Sequence, residues 1–380
     1  MKHILPVLLC LCLLLCACQS EPEQPATDAT TIPTAEPTTT PSTEATEETT
    51  EPTTEATEET VPPTTEVVVL YRHPITGEPL DAPLTVRPVA VVTNNISAAQ
   101  PMMGIGSADI IFEHMAEGGG SITRVLAVYT DLENAGTLGS IRSARTYLLD
   151  LARVFDAPMA HCGYSSYARK NIKQTNFPSY DQFSYPDYYY RDRDRLDSGY
   201  SSEHTMMIQG SDLLKGLQES GFSLEAPADA YYGMQFEENV DLNGESAVEI
   251  SFRFYSSTGK RTTLSYDAVD GVYYATQKWT SKQCIITDGN TGDPVPFKNV
   301  LILSVKVRHA DDGKHMLTTM TGEGSGYFAC NGKYVPIKWY RESVDDPFTY
   351  TFEDGTPVTF DVGKTYVAML PTKSPAVSFE

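Results

Sequence analysis

Arg142 and Arg145 lie three positions apart in GTLGSIRSARTYLLDLARVF (136–155). That spacing puts two side chains on one helix face. Ala144, Leu148, Leu151 and Phe155 recur at helical spacing and predict a helix over 140–155, with Ser140 or Ser143 as its N-cap. Cations in a first turn oppose the helix dipole, at a cost of roughly 0.3–1 kcal/mol each, unless an anion lies close. The free N–H groups, the two serine hydroxyls and the two guanidinium forks describe a receptor for a carboxylate or phosphate. Two sources of that anion stand open. One is an external ligand; the other is the pair Glu113 and Glu117, which alternation places on one face of the strand expected at 109–117.

Other residue types offer other chemistry. Glu113 and Glu117 could act as general acid and base, with His161 as a partner. His161 and His204 could be a base or a metal ligand, or buried structural histidines. No HExxH, CxxC or Asp-rich calcium loop accompanies them, so no metal or other cofactor is expected. Cys162 follows His161, and adjacent residues on a strand point to opposite faces, which argues against a thiol–imidazole pair. Gly119, inside Gly118–Gly120, could let a backbone approach a ligand, or could simply serve a tight hairpin. No P-loop lysine follows those glycines, and no GxSxG elbow for serine acyl transfer is present. FSYPDYYYRDRDRLDSGYSSEH (183–204) reads as a long surface loop whose tyrosines and arginines suit stacking or partner binding.

These residues need elements to hold them. PVAVVTNN (88–95) is a β-branched apolar run ending in turn residues, hence a buried strand. DIIFEHMAE (109–117) and ITRVLAVYTD (122–131) form a hairpin around the glycines, PMAHCG (158–163) a further strand, and SSYARKNI (165–172) a short helix. SDLLKGLQESG (211–221) is a helix with Ser211 as cap and Gly221 as stop. From Val248 onward the pattern turns to strands and tight turns such as Asn331-Gly332 and Asp354-Gly355. The expectation is an α+β fold, with an α/β lobe over 67–230 followed by a β-rich lobe over 240–380.

The front of the chain speaks to location. MKHILPVLLCLCLLLCAC (1–18) has a basic start, an apolar run of about a dozen residues and a small residue before Cys18. The run is shorter than the roughly 20 residues of a bilayer span. Leu15-Cys16-Ala17-Cys18 resembles a bacterial lipobox, in which Cys18 would carry the lipid. Residues 19–66 form a Thr/Pro/Glu-rich linker in which TEATEET occurs twice, at 43–49 and 54–60, with nothing to bury. It is expected to be disordered and to hold the folded part off the membrane of a Gram-positive-type bacterium. Residues 66–380 carry 39 acidic against 27 basic residues, so a nucleic acid is excluded as a partner. Cys162, Cys284 and Cys330 make an odd set that is no disulfide framework; buried thiols fit it better than a Cys284–Cys330 bridge.

The stretch ADIIFEHMAEGGGSITRVLAVYTD (108–131), followed by GTLGSIRSAR (136–145) and AHCGYSSY (160–167), resembles the signature of the YerB-like lipoprotein family. The resemblance covers most of 68–375. It implies an exported lipoprotein with a two-part YerB-like α+β fold and no established activity. It also places an Arg-Asp pair at Arg191-Asp192, making Arg191 the loop residue expected to reach Arg142 and Arg145. The leading expectation is a membrane-anchored module that binds an anionic or polyhydroxyl envelope component. Its site would comprise Arg142 and Arg145 with Glu117, Gly119, Arg124 and His161 around them. The alternatives are an envelope hydrolase using Glu113 or Glu117 with His161, and a scaffold that recruits a surface protein through its Tyr-rich loop.

Overall fold

The computed structural model describes residues 71–117, 122–255, 259–280 and 282–380. Cys18, the linker and Gly119 lie outside the described residues. The described residues form one compact unit.

The apolar runs become strands β1 (Val89–Asn95), β2 (Ile110–Met115) and β3 (Thr123–Tyr129), every residue of which is buried. β2 and β3 pair antiparallel as the expected hairpin, from Ile110↔Val128 to Met115↔Thr123. Helix α1 spans Thr146–Arg153, strand β4 Met159–His161, helix α2 Ser166–Thr175, strand β5 Ser179–Asp181 and helix α3 Gly210–Glu219. The second half supplies β6 (Glu249–Arg253), β7 (Arg261–Asp267), β8 (Val272–Lys278), β9 (Asn299–His309), β10 (Gly322–Cys330), β11 (Lys333–Arg341) and β12 (Thr365–Pro371).

A twelve-stranded mixed sheet runs β11-β10-β9-β12-β2-β3-β1-β4-β5, with short strands added at Glu245–Ser246, Met316–Thr319 and Thr349–Thr351. β12 lies parallel to both β9 and β2, so the two halves of the chain share this sheet. A six-stranded sheet built on β6, β7 and β8 covers one face, where Phe252 and Phe297 meet Tyr366 of β12. α1 and the turn after it cover the other face, with Tyr147 of the helix stacked on His114 and Phe155 of the turn packed on Phe112. Alternation therefore sends Glu113 toward the second sheet and His114 toward the helices.

Local chemistry explains several boundaries. Ser165 caps α2 by accepting from Ala168 N, and Asn176 ends it at φ +51°. Asn331 and Gly332, at φ +49° and +72°, form the two-residue turn between β10 and β11. Four sequence expectations need correction. The helix expected at 140–155 begins at Thr146, because Ile141, Arg142 and Ala144 give their N–H groups to Met206, Val92 and Gly163 instead. Neither Ser140 nor Ser143 caps it; Arg145 is the N-cap residue. α3 begins at Gly210 with Gln209, not Ser211, at its N-cap; a Cβ on Gly210 would stand 2.2 Å from the Leu132 carbonyl oxygen. The segment 183–204 is not all loop: it contains a short strand at Tyr190–Arg191 and a helical turn at Arg193–Asp197.

Candidate arginine-lined binding site

Arg124 stands on β3, Arg145 at the entrance of α1, and Arg142 in the extended lead before it. Arg145 Nη2 meets Glu117 Oε1 at 2.5 Å and Arg124 Nη2 meets the same oxygen at 3.6 Å. Arg142 donates to the Glu203 carbonyl at 3.0 Å and pairs with the mostly exposed Glu203 carboxylate at 3.4 Å. Arg191 donates to the carbonyl of Ser202, one residue away. Arg142 and Arg191 thus hold consecutive carbonyls of one turn, and Asn94 Nδ2 donates to His204 Nδ1 at 3.0 Å in the same turn.

The electrostatics are unbalanced. Burial pulls Arg124 down to about 10, Arg145 and Arg142 add to that, and Glu117 opposes it. Burial alone would raise the Glu117 carboxyl, but Arg124 and Arg145 outweigh burial and hold it below its ordinary value. Among the described residues, Arg124 Nε and Nη1, Arg142 Nε, Arg145 Nε, Tyr147 Oη and Glu117 Oε2 are buried without a hydrogen-bond partner. That is four guanidinium N–H groups that can only donate, one carboxylate oxygen that can only accept, and one hydroxyl that can do either. Burial raises the Tyr147 hydroxyl to about 12 against the pull of Arg124 and Arg145, so it stays protonated. Ser140 is buried with its hydroxyl likewise unpartnered, and Ser143 lies at the margin beside Gly163.

Glu113 stands apart from this cluster, and its expected shared face with Glu117 is not observed. β2 ends at Met115, so alternation does not carry on to Glu117, and four residues of strand span about 13 Å. Glu113 instead accepts from Asn95 at 2.9 Å and Thr123 at 2.6 Å, and also meets Lys260 and the Tyr366 hydroxyl. His161 sits on β4, separated from β2 by β3 and β1, about 14 Å at ordinary strand spacing. It is fully enclosed, with its nitrogens on Gly163 O and Ser179 Oγ. Glu113 and His161 therefore do not meet as an acid–base pair.

Sequence reasoning passed over Asn94 and Tyr147. Asn94 reads as the turn that ends an apolar run, yet it is buried within β1. Tyr147 falls between the helical positions that carried the apolar pattern. Lys260 had no motif around it; only the fold brings it to Glu113.

Two family models match the chain: the N-terminal domain of a protein of unknown function, DUF3048, over residues 75–223, and the C-terminal domain of the same family over residues 250–367. YerB of Bacillus subtilis strain 168, which is named as a lipoprotein, is 27% identical over 330 residues, 78% of this chain and 88% of that protein. The crystal structure of Bacillus subtilis YerB matches with a TM-score of 0.68 at 24% identity, covering 81% of this chain and 99% of the other. The YerB-like fold expected from the sequence is the fold of that solved relative.

Proposed function

The chain belongs to the DUF3048 family of YerB-like proteins, and we propose that it is a lipid-anchored extracytoplasmic protein that binds an anionic cell-envelope component at Arg124, Arg142 and Arg145. Cys18 would carry the lipid on the outer face of the cytoplasmic membrane, and the linker would set the reach. The relative named as a lipoprotein supports the anchoring.

One observation carries the binding reading. Arg124 is a fully buried cation with Nε and Nη1 unpartnered among the described residues. A buried charged donor left unmade costs about 1–3 kcal/mol or more. Arg145 approaches the same Glu117 oxygen, so one carboxylate serves two guanidiniums. An incoming phosphate or carboxylate supplies the missing acceptors, and guanidinium forks match either group.

The test is the melting of residues 66–380 with inorganic phosphate and with soluble wall fragments, beside an Arg142→Ala, Arg145→Ala variant. An anion at 100 times its dissociation constant should stabilise the wild type by about 2.7 kcal/mol, and the variant should lose that shift. Absence of any shift, with the variant melting lower, makes the arginines internal partners of Glu117 and Glu203 and nothing more.

A further inference from the structure

We propose that Ser179, His161 and Asp181 form an acyl-transfer centre at the open edge of the large sheet, with a carboxylic ester as substrate. β4 and β5 pair parallel with Met159 opposite Ser179 and His161 opposite Asp181. Strand alternation then sets the side chains of 161, 179 and 181 on one face. β5 is the last strand in the sheet order.

The hydrogen bonds fix which atom carries which proton. His161 Nδ1 lies 2.8 Å from Gly163 O. A carbonyl only accepts, so Nδ1 carries the hydrogen, and in the neutral ring, which burial favours over the pull of Asp181, Nε2 is bare. Ser179 Oγ, 2.7 Å from Nε2, must therefore donate its hydroxyl hydrogen to it. This is the polarity a general base needs to activate a hydroxyl. Asp181 Oδ1 stands 3.5 Å from Nδ1 and accepts from Gly163 N at 2.7 Å. Its Oδ2 is buried with no partner among the described residues. An imidazolium formed at His161 would face that carboxylate, which positions and stabilises it.

Access and an oxyanion donor follow from the edge. Ser179 is partly exposed, while His161 is sealed behind it. In the β4–β5 ladder, Met159 N reaches Pro178 O and Gln182 N reaches His161 O, so the even-numbered residues of β5 face β4. The N–H groups of Ser179 and Asp181 then point away from β4, toward the free edge. The nucleophile's own N–H is thereby available to the oxygen of a tetrahedral intermediate.

The balanced reaction has two halves. Ser179 Oγ bonds to the ester carbonyl carbon as its proton passes to His161 Nε2. The carbon–alkoxide bond breaks, and the alcohol leaves with that proton. Water then attacks the acyl-serine, giving its proton to Nε2, and the serine departs with it as the carboxylic acid is released. Water is the co-reactant that balances the two halves, and no change of oxidation state occurs.

The experiment uses the full chain and a fluorophosphonate probe, read by intact mass and peptide mapping, with p-nitrophenyl acetate hydrolysis in parallel. Attack by Ser179 forms the oxygen–phosphorus bond and expels fluoride, so one adduct should map to Ser179. Ser179→Ala should remove the adduct and the hydrolysis. His161→Gln should slow labelling by about 100-fold or more. The surface variant Ser220→Ala should label as the wild type does. Ser179→Cys, checked for wild-type melting, should restore reaction with a thiol-directed acyl probe if the first variant fails to fold. A wild type that gains no adduct at Ser179, or a His161→Gln protein that labels at the same rate, overturns the proposal. The centre shares no residue with Arg124, Arg142, Arg145 and Glu117, so anion binding and serine labelling succeed or fail separately.

Discussion

Lys260 and Glu113, 147 positions apart, form an ion pair in which neither side chain has any exposed surface. Lys260 also lies 5.5 Å from the Phe254 ring and 5.7 Å from the Trp279 ring. The pair links the second sheet to the large one. Removing one partner of a buried pair strands the other charge, which costs about 3–5 kcal/mol. Lys260→Ala should show that loss in urea unfolding. Lys260→Met combined with Glu113→Gln should recover most of it, because no bare charge then remains. A single variant within about 1 kcal/mol of the wild type would mean that water reaches Glu113, contrary to its enclosure.

Glu117→Gln should separate the two roles of the arginine cluster. Glu117 is the carboxylate shared by Arg124 and Arg145. Without its charge, two neighbouring guanidiniums repel each other with no internal counter-ion, and stability in low-anion buffer should fall by about 2 kcal/mol. Added phosphate should restore that loss and should bind the variant more tightly than the wild type, by about tenfold. Calorimetric titration of both proteins measures the ratio. Equal or weaker binding to the variant would show that anions do not enter where Glu117 stands.

The sequence exposed the parts of this molecule that depend on local patterns. β1, β2 and β3 are unbroken apolar runs, and Asn331-Gly332 is a turn wherever two strands flank it. The motif arginines were legible because two cations in one supposed helical turn are unusual. The helix start was not legible: whether Ser140–Arg145 coils or extends depends on Val92, Gly163 and Met206, which lie far away in the chain and take its hydrogen bonds. The partners of Glu113 were hidden for the same reason. Periodicity says which face of β2 a residue occupies, but Lys260 and Tyr366 arrive by long-range packing. Ser179 escaped notice because it carries no elbow motif; only the pairing of β4 with β5 lets its hydroxyl reach His161.

His114 gives the fold a pH dependence whose sign is fixed. Its ring stacks on Tyr147 at 4.0 Å, Nδ1 donates to Met115 O at 2.7 Å, and Nε2 accepts from Thr318 at 3.0 Å. Burial drives its pKa down from 6.5 to about 4, with the Met115 bond opposing weakly. The unfolded chain therefore binds a proton at a higher pH than the folded protein does. Stability is unaffected above about 6.5, falls as the pH drops toward 4, and levels off below that. The full span corresponds to about 3 kcal/mol. Urea unfolding of the wild type and of His114→Gln at intervals between pH 7 and 4 isolates this contribution, since other groups titrate in both. The difference between the two proteins should shrink steadily as the pH falls. A difference that stays constant across the range would mean that His114 keeps its ordinary pKa and that water reaches the space between β2 and α1.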